Sequence, residues 1–246
     1  RGTAATVLVH YARAGVWKEA EVVMQDLKDI GVDPHVNEYN QLLMAYIQGK
    51  QWDKFIDLYE QMKVLPTPLG NLNTHKLMLR ACRNVGGGYK QIFNIVKQLE
   101  DQGIPLDRQV YSIMVSAAWD YGEYEVAKKT LQKAIAEGQF EDSEHSVDLH
   151  YLGRGAAEAR LVLWLMSRKM IDQSRDEYSI LTGWGKHSST YGHSVVKKQV
   201  QHLIAELELP FAHFDGMNPG KFVCTGAQLR RWYNRSGHKL ERWIGR

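Results

Sequence analysis

Cysteine is nearly absent: Cys82 and Cys224 are the only two, far apart in the chain. That excludes a disulfide framework and a four-cysteine zinc site, and it suits a reducing interior. Long apolar runs are missing as well. The longest, Leu161 to Met166, falls far short of the ~20 residues a membrane-spanning helix needs, so no membrane partner is expected. No charged-then-apolar leader opens the chain. Arg1 falls inside a helical pattern, so the sequence is expected to be a piece of a longer protein, with any targeting segment outside it. Seven of the ten histidines follow residue 144, yet no His-x-x-x-His or His-Cys spacing lies on one element, and no metal site is expected. Nor is there a Walker loop. Gly185-Lys186 has no glycine five residues ahead of it, and His187 stands where Ser or Thr is required.

What is present divides unevenly along the chain. The 246 residues suffice for one large domain or two modest ones with real cores. The net charge of +3 hides an asymmetry: 16 Lys and Arg against 19 Asp and Glu up to Ser146, then 15 against 9 from Val147 onward. A basic second half is a plausible surface for nucleic acid, through counterion release on phosphate contact. A solvated basic face without a partner accounts for the charge equally well.

The first half repeats at a period of roughly 35 residues, the mark of stacked helix pairs. Segments begin at Arg1, Val36, Asn71 and Arg108. Their first helices are expected at Thr3 to Ala14, Glu38 to Gln48, Thr74 to Arg83 and Val110 to Tyr121. The second helices are expected at Trp17 to Ile30, Trp52 to Met62, Gln91 to Gln102 and Tyr124 to Glu137. Apolar residues at i, i+3 and i+4 carry this reading, as in Leu42, Leu43, Tyr46 and Ile47. Gly31-Val32-Asp33-Pro34 and Gly103-Ile104-Pro105 supply a glycine cap and a proline stop.

Asn37-Glu38-Tyr39-Asn40-Gln41-Leu42-Leu43, Trp52-Asp53-Lys54 and Gln102-Gly103-Ile104-Pro105-Leu106-Asp107 resemble the pentatricopeptide repeat family. The resemblance covers residues 1–142. It implies single-stranded RNA binding, with one base read per repeat by the fifth residue of the first helix and the last residue of the repeat. Carried over, the pairs are Ala5 with His35, Asn40 with Gly70, His75 with Asp107, and Ser112 with Asp142, the last favouring guanine. Base reading would thus fall to Asn40, His75, Asp107, Ser112 and Asp142. Gly70 cannot hydrogen-bond a base edge, and the second positions (Gly2, Asn37, Leu72 and Gln109) depart from the family's apolar preference in three of four cases. The alternative is that these repeats end a longer array and act as a spacer or a protein-docking surface.

The period stops in the polar stretch Glu141 to Ser146. Beyond it, strands are expected at Val147 to His150 and Tyr178 to Leu181, and helices at Gly155 to Met170 and His193 to Leu207. The first helix reads as amphipathic, with Ala156, Ala159, Leu163 and Met166 inward. A hairpin of Phe211 to Phe214 with Lys221 to Thr225 follows. Strands alternating with helices imply a small α/β sandwich, so the fold class is an α-helical solenoid followed by a small α/β sandwich domain. A basic helix from Ala227, with Arg230, Arg231, Arg235, Lys239 and Arg242, closes the chain.

Ile180 to Ser188 reads as a strand running into a tight turn at Gly183 and Gly185, ahead of a helix N-terminus. Glycines there let the backbone approach an anion; an ordinary strand-to-helix turn has the same shape. Val147-Asp148-Leu149-His150, Gly155 to Arg160, Leu181 to Ser188 and Asn218-Pro219-Gly220 are similar to the small MutS-related (Smr) domain family. The match covers 146–225, with 226–246 as the basic C-terminal helix. The Thr-Gly-Trp-Gly version resembles Smr domains that follow pentatricopeptide repeats in plant-type organellar proteins. The resemblance implies nucleic-acid binding and, in some members, endonuclease activity that needs the Asp of the first motif, here Asp148. Tyr151 stands where that motif usually has glycine.

Residues two apart on a strand share a face, so Asp148 and His150 are the expected catalytic pair, exchanging protons with a hydroxyl nucleophile and a leaving oxygen. Thr182, Gly183, Trp184, Gly185, Lys186, His187 and Ser188 are the expected phosphate contacts, widened by Lys197, Lys198, Arg230 and Arg231. Trp184 suits base stacking, or a lid over the second helix. No cofactor is implied except a divalent metal ion for cleavage. The expected function is transcript processing or stabilisation by an organellar RNA-binding protein, in a chloroplast rather than a mitochondrion, with endoribonuclease activity as one form of it. The alternative is a non-catalytic scaffold in an organellar transcription or translation complex, docked through its repeats to polymerase or ribosome components.

Overall fold

The computed structural model describes residues 2–64, 71–84, 89–141, 143–167, 171–172, 174–175, 177–183, 194–214, 216 and 218–244. The chain divides into two compact units, 1–104 and 105–246. No helix among the described residues is long and apolar enough to cross a membrane.

The first unit is three helix pairs: α1 (Gly2–Ala14) with α2 (Trp17–Asp29), α3 (Val36–Gln48) with α4 (Trp52–Val64), and α5 (Leu72–Asn84) with α6 (Tyr89–Asp101). All six lie within two residues of the positions that periodicity implies. The first helices pack on one another, α1 on α3 and α3 on α5, while each second helix closes on its own partner. Leu8, Leu43, Phe55 and Met62 fill the core between them. The stops work as composition suggests. Gly31 and Gly103 take φ of +74° and +70°, the left-handed conformation that a helix C-terminus favours and a side chain resists. Glu38 reaches back to the His35 N–H at 2.9 Å, satisfying an amide that the start of α3 leaves open.

The second unit opens with the fourth helix pair, α7 (Arg108–Asp120) and α8 (Tyr124–Ala136). Asp107 caps α7, accepting from the amides of Gln109 and Val110. Then come β1 (Ser146–Asp148), α9 (Arg154–Ser167), β2 (Tyr178–Leu181), α10 (Val195–Glu206), β3 (Ala212–His213), β4 (Lys221–Cys224), α11 (Gly226–Ser236) and α12 (His238–Ile244). The strands form one mixed sheet in the order β1-β2-β4-β3. β1 and β2 are parallel, pairing Val147 with Ile180, as a crossover through α9 requires. The other pairings are antiparallel.

Two expectations change here. The closing basic segment is two helices separated at Gly237, anchored by Trp232 Nε1 on the Leu207 carbonyl and by Trp243 Nε1 on Glu158. And α9 is not amphipathic. Gly155, Ala156, Ala157, Ala159, Arg160, Leu161, Val162, Trp164 and Leu165 are all buried, because α7, α8, α10 and β1 all pack against it. A helix packed by several neighbours has no continuous polar stripe to show. Leu163 and Met166, expected inward, are only half-buried. They line a cavity of about 690 Å³ with residues of α8 and α12.

The α7–α9 contact is close. A Cβ on Gly155 would meet Asp120 Oδ1 at 2.7 Å and Ser116 Cα at 3.2 Å. Ser116 Oγ accepts the Ala156 amide at 2.9 Å, and Ser112 Oγ the Gly153 amide at 3.1 Å. Two of the amides that the N-terminal end of α9 leaves open are therefore satisfied by hydroxyls of the fourth repeat.

Candidate nucleic-acid site

β1 ends at Asp148, two residues before the end of the strand expected from the sequence. Asp148 and His150 nevertheless meet, by a turn rather than by strand alternation. Asp148 Oδ1 accepts the His150 amide at 2.8 Å and lies 2.6 Å from His150 Nδ1. A carboxylate that folds back on an amide two residues ahead is an Asx turn, and here it also fixes the imidazole. With Nδ1 facing the carboxylate, Nε2 is the nitrogen left for proton exchange, and among the described residues it makes no hydrogen bond.

The third member of this cluster escaped the sequence reading. Arg108, in the first turn of α7, donates through Nη2 to the His150 carbonyl at 2.9 Å and lies 3.4 Å from Asp148 Oδ2. Arg160 on α9 donates through Nε to the Asp148 carbonyl at 3.0 Å and through Nη2 to the Glu141 carbonyl. The two guanidinium groups lie 5.2 and 4.8 Å from the centre of the Phe140 ring, a cation–π contact with both. Arg160 had a signal, since it sits in the Gly155 to Arg160 motif. Arg108 had none: it lies 40 residues from Asp148, and only tertiary packing brings the two together.

Electrostatics follow from these contacts. Burial pushes the Asp148 carboxyl up, but hydrogen bonds from the His150 amide and ring, with the charges of His150 and Arg108, outweigh it and hold the group below its ordinary value of 3.8. Asp148 is thus an anion at neutral pH with both oxygens engaged. It orients; the imidazole is the group placed to move a proton.

The glycine turn is adjacent. Leu149 N–H donates to the Leu181 carbonyl at 2.8 Å, and a Cβ on Gly183 would lie 3.6 Å from His150 Cδ2. Thr182, expected to touch phosphate, is fully buried instead. Its amide and hydroxyl both donate to the Gly220 carbonyl, at 2.7 and 2.9 Å, so it holds the turn in place. Gly220 is required by proximity: a Cβ there would be 1.9 Å from the Thr182 carbonyl oxygen. Next to it, Lys197 Nζ donates to the Pro219 carbonyl at 2.7 Å and lies 3.3 Å from His213 Nε2, so Lys197 is tethered beside the turn. Lys198 and Arg231 are exposed, and Arg230 is half-buried. Trp184, Gly185, Lys186, His187 and Ser188 lie outside the described residues. Among those that are described, no three His, Cys, Asp or Glu side chains converge as a metal site needs.

Tyr151 follows His150 at φ +61°. Glycine takes this conformation without strain, whereas a left-handed backbone costs a side chain roughly 1–2 kcal/mol. The ring is 77 % exposed.

The candidate base-reading residues are occupied within their own units. Asn40 is 6 % exposed; it accepts from Thr74 Oγ1 at 2.8 Å and donates to Asn71 Oδ1 at 3.3 Å. His75 Nδ1 pairs with the Tyr59 hydroxyl at 3.0 Å, and burial, with the charge of Lys63, lowers its pKa. Ser112 is buried beneath Gly153 and Asp107 caps α7. Asp142 lies outside the described residues.

A stack of two-helix repeats joined to a mixed sheet defines a helical-repeat protein with an appended α/β element. Residues 22–65 match the family model of the pentatricopeptide repeat domain. The chain's relatives in Arabidopsis thaliana include the pentatricopeptide repeat-containing protein At1g74750, 30% identical over 90 residues, which are 35% of this chain and 10% of that one. Another is At3g06430, chloroplastic, 22% identical over 134 residues, 54% of this chain and 27% of that one. A third is the small ribosomal subunit protein mL103 (rPPR7), 20% identical over 138 residues, 54% and 32%. The chain spans no more than a third of the length of these relatives. The structure of the pentatricopeptide repeat protein PPR10 in complex with an 18-nt psaJ RNA element superposes with a TM-score of 0.51 at 16% identity, over 63% of this chain and 22% of PPR10. That likeness is one of fold.

Proposed function

We propose that this chain binds single-stranded RNA, and that residues 146–225 are a small MutS-related module whose Gly183 turn, held in place by Thr182, and Asp148–His150 pair face the sugar-phosphate backbone. The observation that carries the reading is the meeting of the two motifs, with Gly183 beside an imidazole whose Nδ1 is held by an ionised carboxylate. Such an imidazole suits acid–base chemistry on a phosphodiester: His150 Nε2 takes the proton from a 2′-hydroxyl or water as that oxygen attacks phosphorus and returns it to the leaving oxygen as the P–O bond breaks, while the Gly183 amide and Lys197 meet the developing charge. Lys198, Arg230, Arg231 and the helices of 226–246 extend the positive surface. Because Asn40, His75, Asp107 and Ser112 are engaged in intramolecular hydrogen bonds, contact through these repeats is largely sequence-tolerant. PPR10 is an RNA-bound protein of the same repeat fold, which supports RNA as the ligand. Relatives named chloroplastic support an organellar setting, and the chloroplast is the setting we propose. The role is transcript processing or stabilisation.

Filter binding of labelled single-stranded RNA across a salt series tests the binding half. Affinity should fall steeply with salt, as phosphate contacts demand; no binding at low ionic strength overturns the reading. Cleavage is tested with Asp148→Ala and His150→Ala beside the wild type: both lose product if the pair acts, and equal product from all three removes it from the mechanism. A scaffold role is the second reading, favoured by the ribosomal relative and by the acidic first half. Cosedimentation with ribosomes or polymerase that survives both RNase and high salt would establish it.

A further inference from the structure

We infer that the ring of Tyr151 is a stacking platform for an unpaired nucleobase, setting one nucleotide of a single strand against the Asp148–His150 pair. The inference rests on the nucleic-acid reading above and adds to it the residue that distinguishes single strand from duplex. Three observations converge on it.

The ring is 77 % exposed, more than any other large hydrophobic residue among those described, and among the described residues its hydroxyl makes no hydrogen bond. Packing therefore does not account for a tyrosine here. Its backbone sits at φ +61°, a conformation that glycine would adopt without strain and a tyrosine adopts only against resistance. A side chain that is neither buried nor conformationally favoured is held for what it contacts from outside.

Position supplies the third observation. The Tyr151 ring centroid is 6.1 Å from that of His150, with the planes tilted by 44°, and a Cβ on Gly183 would lie 3.6 Å from His150 Cδ2. The pair is anchored from behind by Arg108, and the tyrosine is presented outward by the same turn. A nucleotide whose phosphate lies at His150 and Gly183 has its base within reach of the Tyr151 face. Bases in a duplex have both faces covered by their neighbours, whereas an unpaired base offers a face to an aromatic ring regardless of its identity. The platform thus selects strand state rather than sequence, in keeping with repeats whose polar side chains are engaged within the protein.

The test uses the full chain with an oligouridine RNA carrying a single 2-aminopurine, whose fluorescence is quenched on stacking. The wild type, Tyr151→Ala, Tyr151→Gly, Tyr151→Phe and Tyr151→Trp are compared for affinity and quenching, with the corresponding duplex as competitor. The expected result is a loss of roughly ten-fold in affinity for Tyr151→Ala and Tyr151→Gly, with much of the quench lost and the preference for single strand over duplex reduced. Tyr151→Phe and Tyr151→Trp should keep both. Tyr151→Gly should melt no lower than the wild type, which separates lost stacking from lost folding. Wild-type affinity and quench in Tyr151→Ala would overturn the platform alone. An inert wild type would overturn the nucleic-acid reading itself, and the platform with it.

Discussion

Arg108 and Asp148 form an ion pair at 3.4 Å between the first turn of the fourth repeat and the end of the first strand. The same guanidinium nitrogen also holds the His150 carbonyl at 2.9 Å, so one side chain from the repeat braces both members of the candidate pair. Half-exposed pairs of this kind contribute on the order of 1 kcal/mol, and this one acts chiefly on geometry and protonation.

Arg108→Met should raise the Asp148 pKa toward its ordinary value of 3.8, because one of the charges that depresses it is gone. A depressed carboxyl contributes stability above its unfolded pKa and loses it as pH falls through the folded one. The variant should therefore melt below the wild type at neutral pH, with the gap closing as acid protonates Asp148. Thermal melts from neutral pH down past the carboxylate range check this. A gap independent of pH would mean that Arg108 acts only through the His150 carbonyl and its packing on Phe140.

A fragment of residues 105–246 should unfold as one cooperative unit, whereas 146–246 should not. The shorter piece strips α7 and α8 from α9, leaves the Gly153 and Ala156 amides without Ser112 and Ser116, and removes Arg108. Circular dichroism melts of the two fragments decide it. A sharp transition in the shorter piece would place the boundary where the 35-residue period stops.

Gly220→Ala should cost roughly 3 kcal/mol or more, since the added methyl lands on the Thr182 carbonyl at 1.9 Å and the neighbouring strands fix both backbones. Denaturant titration measures the loss. RNA affinity should fall with it, because the displaced turn is the one next to His150; a stable variant would mean that the turn shifts freely.

Asn40→Ala should lower stability by about 1–2 kcal/mol without altering base preference. Asn40 joins Thr74 and Asn71 across successive repeats, and its removal leaves Thr74 Oγ1 without that acceptor in a buried position. Binding to homopolymeric RNAs alongside a melt separates the roles. A change in preferred base at unchanged stability would make Asn40 a reading residue after all.

The helix pairs were legible from composition and spacing alone, because an amphipathic helix records its buried face in its own sequence and a glycine–proline stop is a local event. The strands were legible too, in number and in position along the chain, though their order in the sheet was not. Asp148 and His150 could be paired in advance, though for a different reason from the one that operates: spacing suggested a shared strand face, and an Asx turn brings them together. Other features lay beyond local pattern. Gly155 to Met170 reads as amphipathic because sequence cannot reveal how many neighbours a helix will have, and the helix there is packed against four elements. Thr182 reads as a phosphate contact because its motif is intact, yet its hydroxyl is committed to Gly220, which no local pattern predicts.

By itself, then, the sequence determined the repeats, their stops and the presence of two short motifs, since each depends on residues within a turn or two of one another. Tertiary structure alone decided which groups stand around those motifs. Arg108 reaches Asp148, Ser116 reaches Ala156, and Gly220 meets Thr182 across separations of 38 to 40 residues, and contacts at that separation follow from how whole elements pack rather than from any periodicity along the chain.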